Sequence, residues 1–114
     1  MDITMTECQE YTVARLNGII DESAKATFDE YLHPIISTPG RRLLLDLSGC
    51  ERINSLGIGL LVTLVSRANT KESHIVLASP TPFVSSILKV TKLTKFFEIE
   101  DAIEAAVTRL REAP

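Results

Sequence analysis

Apolar positions change their spacing in a regular order along this chain, and the order predicts its elements. Tyr11 to Leu16 is rich in β-formers and stops at Asn17-Gly18, while Ile3 to Thr6 is placed to pair beside it as an antiparallel neighbour. After Ile19-Ile20, the polar Asp21 precedes Ala24, Phe28, Tyr31, Leu32, Ile35 and Ile36, whose spacing predicts one stripe of a helix ending near Pro39-Gly40. Arg42 to Leu47 reads RLLLDL, a short apolar run suited to a central strand covered on both faces. Beyond Gly49, Leu56 to Ala68 is apolar nearly all round, which predicts a second helix largely buried on a sheet. His74 to Ala78 reads as a strand closed by Ser79-Pro80, and Phe83, Val84, Ile87, Leu88 and then Leu93 follow helical spacing. Phe96 to Ile99 is a last short strand, and Ile103, Ala106, Val107 and Leu110 mark a fourth helix. Strands alternating with helices from Leu43 onwards imply parallel pairing through right-handed crossovers. The expected class is α/β, a mixed sheet of about five strands with four to five helices in a single domain over residues 1–114.

Composition narrows the function classes. A chain of 114 residues fits one domain and can bury a core without disulfides or a structural metal. Twelve Lys and Arg against 15 Asp and Glu give a net charge of −3, which offers no footprint for nucleic acid or an anionic membrane. The longest apolar run, Ile58 to Val65, falls far short of the ~20 residues that cross a bilayer, so no direct membrane insertion is expected. MDITMTECQE carries acids where a secretory signal carries a basic and then an apolar region, so a cytoplasmic location is expected. Cys8 and Cys50 stand apart from each other and from His33 and His74, so reduced thiols are expected, with no metal site and no cofactor.

The stretch from Asp46 to Gly59, DLSGCERINSLGIG, joins the central strand to the second helix. The end of a strand in an open α/β sheet, leading by a turn into a helix, is where such folds place functional groups. Ser55 falls at that junction. Either Asn54 or Ser55 caps the helix, its side-chain oxygen accepting from a backbone N–H in the first turn. Ser55 is also a candidate phosphoacceptor, because a phosphate at a helix N-terminus meets free N–H donors and the positive end of the dipole. Gly57 and Gly59 let the backbone turn tightly or let the helix lie close to the sheet. They form no phosphate loop: the Gly-Lys-Ser/Thr ending of a Walker sequence is missing, as is the third glycine of a dinucleotide fingerprint. A triad of Ser55, His74 and Asp46 lacks a Gly-x-Ser-x-Gly elbow. His33 is expected at a helix surface, His74 at a strand entrance, and Asp46 as an orienter of the following loop through backbone hydrogen bonds. Arg41-Arg42 and Lys89, Lys92 and Lys95 read as basic rims, ordinary for solvated cations.

DLSGCERINSLGIGLL resembles the signature of the STAS family, a strand ending in Asp-Leu-Ser, a few residues, then Asp-Ser-Ser/Thr-Gly-Leu-Gly opening a helix. LNGIIDESAKATF is similar to the family's turn into its first helix, and VTKLTKFFEIEDAIEAAV to its closing segment, so the resemblance covers nearly the whole chain. It implies an anti-sigma-factor antagonist. In such proteins the unphosphorylated domain binds an anti-sigma-factor serine kinase and releases the sigma factor, and phosphorylation of a loop hydroxyl blocks binding. Carried over residue by residue, the resemblance implies phosphorylation at Ser55 and a partner-binding surface of Asp21, Asn54, Ser55, Leu56, Gly57 and Ile58, with no catalytic residue. Asp21 is equally placed to cap the first helix. Two departures matter. Asn54 stands where the motif usually carries Asp, and Leu56 fills the second hydroxyl position, so a kinase that needs a hydroxyl directly before Gly57 would leave the chain a permanently competent binder. A monomer or weak homodimer through a sheet edge is expected. The alternative is a STAS subunit of a membrane-associated lipid-transport complex of ABC type, a binding module without phosphorylation, which Leu56 favours. A small hydrolase using Ser55 is a third reading.

Overall fold

The computed structural model of the chain describes residues 1–113. Strand β1 (Asp2–Glu7) leads to β2 (Thr12–Ile20), helix α1 (residues 22–36), β3 (Arg42–Ile53), α2 (Ser55–Thr70), β4 (His74–Ala78), α3 (Pro82–Val90), β5 (Ile99–Glu100) and α4 (Ile103–Glu112). The five strands form one sheet in the order β1-β2-β3-β4-β5. β1 is antiparallel to β2 and all later pairs are parallel, so β3 is central and the sheet is mixed. Among the described residues no helix is long and apolar enough to cross a membrane.

Alternation along β3 divides the interior in two. Leu43, Leu45 and Leu47 enter the larger core with Phe28 and Leu32 of α1, Leu61 and Leu64 of α2, and Val84 and Leu88 of α3. Leu44 points the other way and meets Val76 and Ala78 of β4 under Ala106 and Leu110 of α4. This two-sided burial is why the run RLLL has no polar alternation. Arg109 donates to Glu98 (3.1 Å) and Glu100 (2.8 Å), and His74 pairs with Glu98, which ties α4 to both short strands.

Four expectations need correction. β2 does not turn at Asn17-Gly18 but continues to Ile20; Gly18, at φ +99°, lets the strand bulge, and the β2–β3 register slips on either side of it. β3 likewise runs past Leu47 to Ile53, whereas β4 stops at Ala78, opposite Asp46. The paired ends of β2 and β3 therefore project beyond the rest of the sheet. α1 ends at Ile36, where the Ser37 hydroxyl donates to the His33 carbonyl (2.7 Å), and Tyr31 is exposed. Its buried residues, Ala24, Phe28, Leu32 and Ile36, recur every four positions. A regular α-helix would rotate such a series by about 40° per step, and a widened π turn over Phe28–Leu32 keeps it facing the sheet. The last strand is only Ile99–Glu100, because the N–H groups of Phe96 and Phe97 both donate to the Leu93 carbonyl (3.0 and 3.1 Å) and hold the chain in a turn.

His33 is also less superficial than a helix-surface residue. Its side chain is 13% exposed, between Asp29 Oδ1 (3.9 Å from Nε2) and Arg67 of α2 (3.4 Å from Nδ1). A guanidinium only donates, so a hydrogen bond here needs Nδ1 as the acceptor of a neutral ring. Burial, and then the Arg67 charge, lower its pKa below 6.5. The unfolded chain binds this proton more readily than the folded one, so stability is complete above pH 6.5 and falls as the pH drops toward the lowered folded value. Urea melts across this range should show that decline in the wild type and a flatter profile in His33→Gln.

Candidate functional site: a hydroxyl at the exposed end of a helix

The projecting ends of β2 and β3 carry the starts of α1 and α2 side by side. Asn54 is extended (φ −107°, ψ −178°) and caps α2, its Oδ1 accepting from the Gly57 N–H at 2.9 Å. Its Nδ2 donates to Glu22 Oε2 at 3.1 Å, and its backbone N–H donates to the Ile20 carbonyl at 3.3 Å. One amide thus accepts for the helix and donates across to α1, a pair of tasks an aspartate cannot perform. Asn54→Ala should cost about 1 kcal/mol of stability in urea melts, the usual loss for an N-cap. Asp21 caps the opening turn of α1, accepting from the backbone N–H (3.0 Å) and the hydroxyl of Ser23. Those two bonds, the hydroxyl's first, hold its carboxyl below the ordinary value and keep it ionised.

Gly57 fixes how this corner points. A Cβ there would lie 2.0 Å from the Ile20 carbonyl oxygen and 2.7 Å from its carbon, so α2 begins pressed onto β2. With Gly57 inward and buried, Ser55 and Leu56 face outward, and Leu56 is 58% exposed. Ile58 is half-buried. Gly59 does something else: nothing lies within 4 Å of its Cβ position, so it brings no helix near the sheet. Helix α2 is accordingly less buried than expected, since its first turn holds an outward leucine. The residues singled out in the sequence are brought together in two roles. Asp21, Asn54, Ser55, Leu56 and part of Ile58 reach the surface, while Gly57 only places them.

Three contributors escaped the sequence reading. Glu22 joins the two helix starts through Asn54. The Arg52 guanidinium stands 5.8 Å from the centre of the exposed Phe83 ring, bringing α3 to the edge of the corner. Thr81 accepts from the Val84 N–H (3.4 Å) and donates to the Cys50 carbonyl (2.9 Å), fixing α3 to the end of β3. Thr81-Pro82 before an apolar stripe is a legible cap; Arg52 over Phe83 leaves no sequence signal.

His74 pairs with Arg42 at the start of β3, whereas Ser55 follows the far end of that 12-residue strand. Ser55, His74 and Asp46 therefore do not meet as a triad. Asp46 instead accepts from the Ser48 N–H at 2.9 Å, as expected of an orienting residue. Burial pushes the Cys50 thiol up, which makes it a poor nucleophile. Among the described residues no three His, Cys, Asp or Glu side chains gather to hold a metal.

Comparison with known proteins gives this arrangement its context. A STAS-domain containing protein of Pseudomonas aeruginosa is 30% identical over 80% of this chain and 88% of its own. BtrV of Bordetella bronchiseptica, provisionally named an anti-sigma factor antagonist, is 21% identical over 99% of this chain and 97% of its own. The crystal structure of an anti-sigma factor antagonist from Mycobacterium paratuberculosis superposes with a TM-score of 0.82, at 19% identity over 97% of this chain and 94% of that one. The STAS domain family matches residues 2–106, nearly the whole sequence. With that match and this sheet order, the chain belongs to the STAS domain family.

Proposed function

We propose that the chain is a single-domain cytoplasmic anti-sigma-factor antagonist that acts by binding, not catalysis, and docks an anti-sigma factor with serine-kinase activity through the corner between β3 and α2. The observation that carries this reading is the outward Ser55-Leu56 pair on a first turn fixed by Gly57 and Asn54. A docking surface held by caps at both helix starts loses little freedom on binding. The names borne by BtrV and by the Mycobacterium protein support the partner class.

Ser55 is the hydroxyl available to a kinase at this corner, because Leu56 fills the neighbouring position. Phosphate there adds about −1.5 to −2 charges where Asp21, Glu22 and Glu51 already stand. The partner must then desolvate that charge or leave, and no refolding of the chain is involved. Leu56 supports a second reading as well, a STAS subunit of a lipid-transport complex, since an exposed leucine suits a constant interface.

Calorimetric titration of the chain against purified kinase-type anti-sigma factors from the same genome separates the two. A complex with at least one of them, weakened at least tenfold by Leu56→Asp, is the expected outcome. Silence with all of them alongside binding to a transporter ATPase subunit would select the second reading.

A further inference from the structure

A hollow of about 450 Å³, a size suited to a small molecule, is bounded by α3, β5 and α4. Its frame is fixed by hydrogen bonds. Arg109 of α4 donates to Glu98 (3.1 Å) and Glu100 (2.8 Å), and His74 holds the second Glu98 oxygen, so the Glu98 carboxylate is fully engaged. The Ser79 hydroxyl donates to the Asp101 carbonyl at 2.9 Å, and the Phe97 N–H donates to the Leu93 carbonyl at 3.1 Å. Phe97, only 3% exposed, and half-buried Ile99 add an apolar wall.

Five polar side chains on this frame are left over. Ser85, Lys89, Thr94, Lys95 and Asp101 all line the hollow, yet among the described residues none of their side chains has a hydrogen-bond or ion-pair partner. The Ser85 hydroxyl is half-buried and unpaired, whereas that of Thr91, at the end of the same helix, donates to the Ile87 carbonyl at 2.8 Å. Because Glu98 and Arg109 satisfy each other, the free charges in the hollow are two ammonium groups and one carboxylate.

We propose that this hollow binds an acidic α-amino acid, its two carboxylates on Lys89 and Lys95, its ammonium on Asp101 and its methylenes against Phe97 and Ile99. Two negative charges and one positive are the inverse of the free charges in the hollow, so every charge that loses water on binding gains a partner. The hydroxyls of Ser85 and Thr94 are further donors for carboxylate oxygens. A phosphate would match the lysines but set a like charge opposite Asp101, and a simple cation would meet two ammonium groups. The fixed frame confines the ordering cost to the ligand and the side chains that close on it. This site is independent of the partner class proposed for the Ser55 corner.

The test is a titration of the ¹⁵N-labelled full chain with L-glutamate. L-glutamine, which lacks the second carboxylate, N-acetyl-L-glutamate, which lacks the ammonium, and inorganic phosphate are run in parallel at one ionic strength. Amide shifts should centre on Ser85, Lys89, Lys95 and Asp101, with a glutamate dissociation constant on the order of a millimolar and at least fivefold weaker binding of the other three. The Lys89→Gln, Lys95→Gln double variant should weaken glutamate at least tenfold. Asp101→Asn should bring glutamate down to the level of N-acetylglutamate. Melting should stay unchanged in both, because these exposed side chains have no partner to lose. Wild-type binding of N-acetylglutamate or phosphate as tight as that of glutamate would mean attraction of anions alone and overturn the proposal. Glutamate shifts confined to other elements, or none at tens of millimolar, would overturn it too.

Discussion

Adding one methyl group at Gly57 is expected to lower the unfolding free energy by about 3 kcal/mol, the upper part of the overpacking range. The new Cβ would sit 2.0 Å from the Ile20 carbonyl oxygen, and that neighbour is backbone in a paired strand, not the end of a side chain that can swing away. Relief requires α2 to lift from β2, which stretches the Asn54 N–H to Ile20 carbonyl bond at 3.3 Å and shifts Asn54 against Glu22. Gly57→Ala should thus shift the urea midpoint down with little change in slope, the mark of altered stability. Gly59→Ala is the control two residues along. With nothing within 4 Å of that Cβ, alanine should instead stabilise by roughly 0.5–1 kcal/mol through helix propensity. Equal effects at the two glycines would contradict the close approach of α2 to the sheet.

Ser55→Asp is expected to weaken the partner complex by about thirty- to hundredfold, the equivalent of ~2–3 kcal/mol for an unpaired charge forced into an interface. Stability should move the other way or not at all, because a carboxylate in the first turn of α2 faces the positive end of the helix dipole, worth roughly 0.3–1 kcal/mol when exposed. Ser55→Ala should leave both nearly unchanged, since Asn54 is the cap. This opposition between affinity and stability distinguishes a docking residue from a structural one. Loss of folding in Ser55→Asp, or full affinity, would remove Ser55 from the interface.

Much of this was legible from spacing alone. The bounds of β4 are legible because Ser79-Pro80 ends an apolar run sharply, and the two-faced burial of β3 follows from its lack of alternation. The misreadings have a common physical source, contacts between residues far apart in sequence. Asn17-Gly18 has the composition of a turn, yet pairing with β3 carries the strand through it as a bulge. The apolar run ends at Leu47, yet β3 continues through Gly49, which lies against Asn17, whose Oδ1 would stand 1.9 Å from a Cβ there. At the site, Asn54 and Ser55 were both fair caps by local chemistry, and the bond to Glu22, 32 residues away, shows why the amide is the one that serves. Gly57 and Gly59 could not be told apart, because only the position of Ile20 separates a crowded glycine from an open one.

Ser55 is proposed as the hydroxyl that a bound partner modifies and that then ends the contact. Mass spectrometric mapping of the chain after incubation with ATP and an anti-sigma kinase that binds it tests this directly. One phosphate is expected, on Ser55, absent from Ser55→Ala, with release of the phosphorylated chain from the kinase. A kinase that binds yet leaves Ser55 unmodified, or a phosphorylated chain that stays bound, would contradict it.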